Sequence, residues 1–345
     1  MLQSIWIGTA ILALISIGVM IALMVRRWFI DAGKTNDAVL QKQLRQSLME
    51  FTAAHDEDAL SEALSQFPAP LVIEVCFQFV EVLRGDDREQ IVRVLAAAGY
   101  PDEIRRQLLN GQEAQKLSAI ERLTSFPYQD TRKALLSALN DRKREVRIAA
   151  SIALARLDAL PPLAEAIARI GVRGQRSRRL IELFRSVPTD RSDELIALAT
   201  NRDLPDFVRA AAVDALGHTG QFGNIAEIEA LLADPHTEVQ AAVIRALGLI
   251  GHPRSADTLL AALDNPSWEV RLEAASAAGR LGLSAANGGL ARLLNDDEWI
   301  VRYTAAKSLS ALGDEGQQTL VALSQGPSSR TQRSAAVLLA EENRA

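Results

Sequence analysis

The sequence predicts an all-α fold: an α-solenoid of short helix pairs, preceded by one transmembrane helix. Two observations carry this. A residue pattern recurs every 31 positions through the C-terminal two-thirds of the chain, and one uncharged apolar run lies near the start. Composition supplies the third. With 345 residues, 48% apolar side chains and a net charge of −5, the chain exceeds one ordinary core and is too apolar to be disordered. Its single cysteine, Cys76, excludes an internal disulfide framework and a cysteine-built zinc site. The balance of 43 Asp+Glu against 38 Lys+Arg argues against nucleic acid as a partner, because phosphate contacts need a basic footprint.

The apolar run is Ile5 to Val25, twenty-one residues without a charge. At about 1.5 Å per residue it matches the ~30 Å hydrocarbon layer. Trp6 and Trp28 sit near its two ends, where their rings favour the headgroup layer. A cleaved signal peptide fits poorly. No basic residue precedes the run, and Arg26-Arg27 stands where a small-residue cleavage site would be needed. Arg26, Arg27, Lys34 and Lys42 follow the span while the preceding tail carries no positive charge, so residues 26–345 are expected in the cytosol, anchored in the inner membrane.

The repeat is clearest in FVRAAAVDALGHTG, EVQAAVIRALGLIG, EVRLEAASAAGRLG and IVRYTAAKSLSALG. Their second residues, Val208, Val239, Val270 and Val301, are each 31 apart, and Val146 lies 62 before the first. Gly220, Gly251, Gly282 and Gly313 close successive copies, as left-handed helix ends require. An acidic or amide residue (Asp141, Asp203, Asp234, Asn265, Asp296) stands five before each valine, where its side chain suits the turn between two helices. A pair this small cannot cover its apolar face alone, so neighbours must stack.

These elements, with the Val-Arg pair, the paired alanines and the Ala-Leu-Gly ending, resemble the HEAT repeat family, specifically the short repeats of phycobilisome lyase-type proteins. The resemblance is close over residues 128–345 and thinner over 36–127. It implies an α-solenoid acting as a protein-interaction scaffold. The expected division is a membrane helix and juxtamembrane segment over 1–30, divergent capping repeats over 31–110 and regular repeats over 111–345. Within the divergent part, PLVIEVCFQFVEVLRG is so apolar that it must be buried or form a partner surface.

Six arginines recur at one position, Arg147, Arg178, Arg209, Arg271, Arg302 and Arg333, with Gln240 interrupting, and are expected to pair with turn acids such as Asp141, Asp203, Asp234 and Asp296 of their own or the adjacent copy rather than to bind an external anion. A denser basic set, Arg142, Lys143, Arg144, Arg173, Arg176 and Arg179, falls in consecutive copies and forms either a patch for an anionic partner or a solvated face. Trp268 and Trp299 share a repeat position and serve either as interface aromatics or as half-buried packing. An apolar strip, Leu117, Ile148, Ile152 and Leu183, is either a groove or buried by a bend in the stack.

No catalytic motif is present: no Walker A loop, G-x-S-x-G, dinucleotide fingerprint or H-E-x-x-H. His218, His236 and His252 occupy different repeat positions and read as surface histidines. No cofactor and no metal are expected, and a small-molecule ligand is disfavoured. The sequence therefore reads as a non-catalytic scaffold for a protein partner in a membrane-associated complex. The alternatives are a lyase-type or other small-molecule-handling protein, as the resemblance allows, and a sensor binding an anionic ligand at the basic set.

Overall fold

The computed structural model describes Met20 and residues 38–172, 176–326 and 329–342. The described residues form helices and turns, and none forms a strand. They divide into two compact units, residues 1–131 and 132–345.

The first unit holds α1 (38–54), α2 (Glu57–Ser65), α3 (Ala69–Val82), α4 (Asp86–Ala97), α5 (Tyr100–Asn110) and α6 (Glu113–Leu123). The apolar segment expected to be core or partner surface is α3, and it is core: Val72, Ile73, Val75, Cys76, Phe77 and Val80 are all buried. The Phe77 and Phe126 rings meet edge to face at 6.0 Å. Burial pushes the Cys76 thiol up to about 12, so it is a packing residue and not a nucleophile.

The second unit is a stack of helix pairs. First helices are α7 (Gln129–Ala138, which begins in the preceding unit), α9 (Leu163–Ile170), α11 (Ser192–Thr200), α13 (Ile225–Ala230), α15 (Ala256–Ala262), α17 (Asn287–Leu293) and α19 (Asp314–Ser324). Second helices are α8 (Arg144–Arg156), α10 (Arg178–Arg185), α12 (Asp206–Thr219), α14 (Thr237–Ile250), α16 (Trp268–Leu281), α18 (Trp299–Ala311) and α20 (Ser329–Glu342). The second helices form one row, each packed on the next from α8 to α20. The first helices lie against that row and are shorter, six to eight residues in α9, α13, α15 and α17.

Packing rather than intrinsic propensity holds these pairs. Val208, Val239, Val270 and Val301 are fully buried, and each such side chain contributes about 1.5–3 kcal/mol, more than a typical helix cap at about 1. Gly220, Gly251 and Gly282 end α12, α14 and α16 in the left-handed conformation, as the sequence implies. Gly313 also has a positive φ but is extended in ψ, and it opens α19 instead.

The turn acids behave as expected in most copies. Oδ1 of Asp141, Asp234, Asn265 and Asp296 accepts the backbone N–H two residues on, at 2.8–2.9 Å. Asp203 is the correction. Its own N–H donates to Asn201 Oδ1 at 3.0 Å, so the turn-forming side chain stands two residues earlier. Pro205 forces the segment before α12 to be extended, which shifts the turn back. The apolar strip is no open groove: Ile148, Ile152 and Leu183 are buried and Leu117 is half-buried.

The expected span, Ile5 to Val25, lies outside the described residues apart from Met20. Among the described residues, no helix is long and apolar enough to cross a membrane.

Candidate protein-interaction groove

The repeat arginines are structural, and their geometry explains the 31-residue pattern. The helices α8, α16 and α18 each begin just after a turn whose carbonyls accept from an arginine in the helix's first turn. Arg147, Arg271 and Arg302 each donate through Nη1 to the carbonyls six and five residues before, at 2.8–3.2 Å. Arg209, and Arg271 through its other two nitrogens, reach forward to the acid of the next copy, Asp234 and Asp296, both 25 residues on. The acids therefore accept from the preceding copy's arginine, not from their own. Where glutamine replaces arginine, Gln240 keeps the backward bond to the Asp234 carbonyl at 2.7 Å, and the acid 25 ahead is replaced by neutral Asn265. Burial pushes the Asp234 and Asp296 carboxyls up, but hydrogen bonds from arginine and from the turn N–H outweigh it and hold both below the ordinary aspartate range. His236, expected as a free surface histidine, lies with Nδ1 3.2 Å from Asp234 Oδ1.

The basic set does not gather into one uncompensated patch. Arg142 and Lys143 are exposed at the start of α8, and Arg144 is half-buried. Arg179 lies 3.9 Å from Glu145. Arg176 reaches across to Glu238 at 2.6 Å. Arg173 lies outside the described residues. The carboxylates that Arg179 and Arg176 meet come from one and two copies away, a pairing that stacking creates and linear order conceals.

Arg176 leads into a groove the sequence does not announce. A cavity of about 440 Å³ opens over the starts and middles of α12, α14 and α16. Its apolar lining includes Phe207, Leu272 and Trp268, the last 38% exposed. Its floor is an ion-pair bridge across three consecutive second helices: Arg245 on α14 donates to both Asp214 oxygens on α12, at 2.7 and 2.8 Å, and to Glu273 on α16 at 2.9 Å. Burial raises the Asp214 carboxyl despite the facing guanidinium. Arg245 is lowered by burial, but its two carboxylates outweigh this and raise it. One repeat further along, Trp299 is 63% exposed, its ring 6.4 Å from Tyr303. The structure thus places Trp268 and Trp299 on the accessible side of successive second helices rather than inside the stack. Only the shared 31-residue register of Asp214 and Arg245 hints at the groove in the sequence. Among the described residues, no group of histidine, cysteine and carboxylate side chains is arranged to hold a metal.

A family model described as HEAT repeats matches residues 192–267, 225–288 and 257–340. The matched residues include α12, α14 and α16, over which the groove lies. No curated protein matches. Among solved structures, an engineered protein aligns with a TM-score of 0.36 and 19% identity, over 86% of this chain and 97% of that one. Kap121p bound to Pho4p aligns with a TM-score of 0.43 and 14% identity, over 87% of this chain and 41% of that one. Human deoxyhypusine hydroxylase in complex with glycerol aligns with a TM-score of 0.32 and 19% identity, over 80% of this chain and 98% of that one. The chain thus spans under half the length of Kap121p.

Proposed function

We propose that this protein is a non-catalytic interaction scaffold, tethered in the inner membrane by Ile5 to Val25, whose cytosolic repeats bind a partner protein of a membrane-associated complex. The observation that carries the reading is the row of second helices with its accessible aromatic side chains and groove. Repeat stacks of this kind offer extended surfaces suited to macromolecular partners. The ionisable groups on the groove floor support binding over catalysis, because Asp214, Arg245 and Glu273 are engaged with one another across three helices. The uncharged run and the positive residues after it support the tether and its direction.

Crosslinking mass spectrometry on the full chain in intact membranes tests this. The expected result is a stoichiometric protein partner crosslinked near α12 to α18, with the chain resisting alkaline carbonate extraction. Recovery of the chain alone, or its release by carbonate, overturns the corresponding half of the proposal.

A further inference from the structure

We propose that the groove over α12, α14 and α16 takes an extended basic segment of the partner, with an arginine or lysine side chain seated between the Trp268 ring and the Glu269 carboxylate. The inference rests on the scaffold reading and names the chemistry of its partner.

Charge carries it first. The groove lining holds four carboxylates, Asp214, Glu238, Glu269 and Glu273, against two guanidinium groups, Arg176 and Arg245. Arg245 is satisfied by Asp214 and Glu273 and stays in the floor. Arg176 is held by Glu238 alone but is 73% exposed, so an incoming cation can replace it at little cost. Glu269 accepts from the Ser267 hydroxyl at 2.5 Å and, among the described residues, meets no cation closer than the more distant Arg271, whose guanidinium is itself paired with Asp296. An acidic segment would meet this excess of negative charge, and a basic one would relieve it.

The apolar lining selects the same occupant. Tryptophan offers the most favourable aromatic face for a cation, and the aliphatic stem of lysine or arginine can lie along Phe207 and Leu272 while its head reaches a carboxylate. Trp299 and Tyr303 stand 31 residues after Trp268 and Leu272, repeating the apolar half of the site on the next helix. Adjacent helices pack about 8–10 Å apart and an extended chain advances about 3.3–3.6 Å per residue. The bound segment therefore advances about two to three residues per repeat, which sets the spacing of its anchoring side chains.

The test measures binding to the full chain in detergent by fluorescence anisotropy. One labelled dodecapeptide carries arginine at every third position among leucine and serine. A second carries glutamate in place of arginine. The arginine peptide is expected to bind with a dissociation constant on the order of micromolar and the glutamate peptide not at all. Glu269→Lys and Trp268→Ala should each weaken binding at least tenfold while circular dichroism stays unchanged. Asp257→Lys, the same charge change at an exposed position of α15, should leave it unaltered. Equal binding of both peptides, equal loss in Asp257→Lys and Glu269→Lys, or full affinity in both groove variants overturns the inference. The two proposals fail separately. A crosslinked partner that Glu269→Lys leaves in place sinks the basic-segment inference alone, whereas arginine-peptide binding that depends on Glu269, with no partner captured in membranes, sinks the scaffold reading alone.

Discussion

Arg209 and Asp234 form an ion pair in which both side chains are almost removed from water, at 2% and 4% exposure. Arg292 and Asp264 also form an ion pair, at 2.8 Å, yet are 62% and 65% exposed. Burial decides what each is worth. Truncating one partner of a buried pair strands the other charge in a poor solvent, whereas an exposed pair exchanges freely with water. Arg209→Ala is expected to cost about 3–5 kcal/mol in urea unfolding, and Arg292→Ala under about 1. The Arg209 loss should also depend on pH. Asp234 is held below its ordinary value of 3.8, so its contribution is complete above that value and disappears as the folded carboxylate is protonated below it. The cost of Arg209→Ala should accordingly shrink below pH 3.8, and a pH-independent cost would contradict the pairing.

Among the helices, close approach of the second-helix row depends on glycines inside helices, a role distinct from that of the glycines ending them. Gly217, Gly248 and Gly279 sit at one repeat position on α12, α14 and α16. A Cβ at Gly248 would lie 2.5 Å from the Ala277 Cβ, and one at Gly217 would lie 2.6 Å from the Ala246 Cα. In an isolated helix, glycine to alanine is favourable by about 1 kcal/mol. Here the clash wins, because neither contact atom can swing away. Gly248→Ala should therefore destabilise by about 1–3 kcal/mol and lower the melting temperature. Gly223→Ala, in a 3₁₀ turn with nothing within 4 Å, should stay within about 0.5 kcal/mol. Sequence alone does not separate the two glycine series, because one 31-residue period serves both.

Over the second unit, each pair is covered by its neighbours, so stability is distributed along the row. Deleting residues 314–345 uncovers the faces of α17 and α18 that α19 and α20 pack against, while leaving the pairs from α11 to α16 in contact. The shortened chain should lose melting temperature but keep the helical signal of the remaining pairs. Complete unfolding of the unit would show a single all-or-none core instead of a repeat stack.

The sequence by itself determined the repeat, its 31-residue register and the glycine ends of α12, α14 and α16, because these are local patterns that successive copies share in covering one another. Tertiary structure alone decided that α3 is core, that the Ile148 strip is covered, that Arg176 meets a glutamate 62 residues away, and that Asp214, Arg245 and Glu273 join under Trp268. The physical reason is that a groove is a property of adjacent helices. Which side chains line it depends on the pitch of the stack, and residues one or two copies apart become neighbours only when the stack has formed.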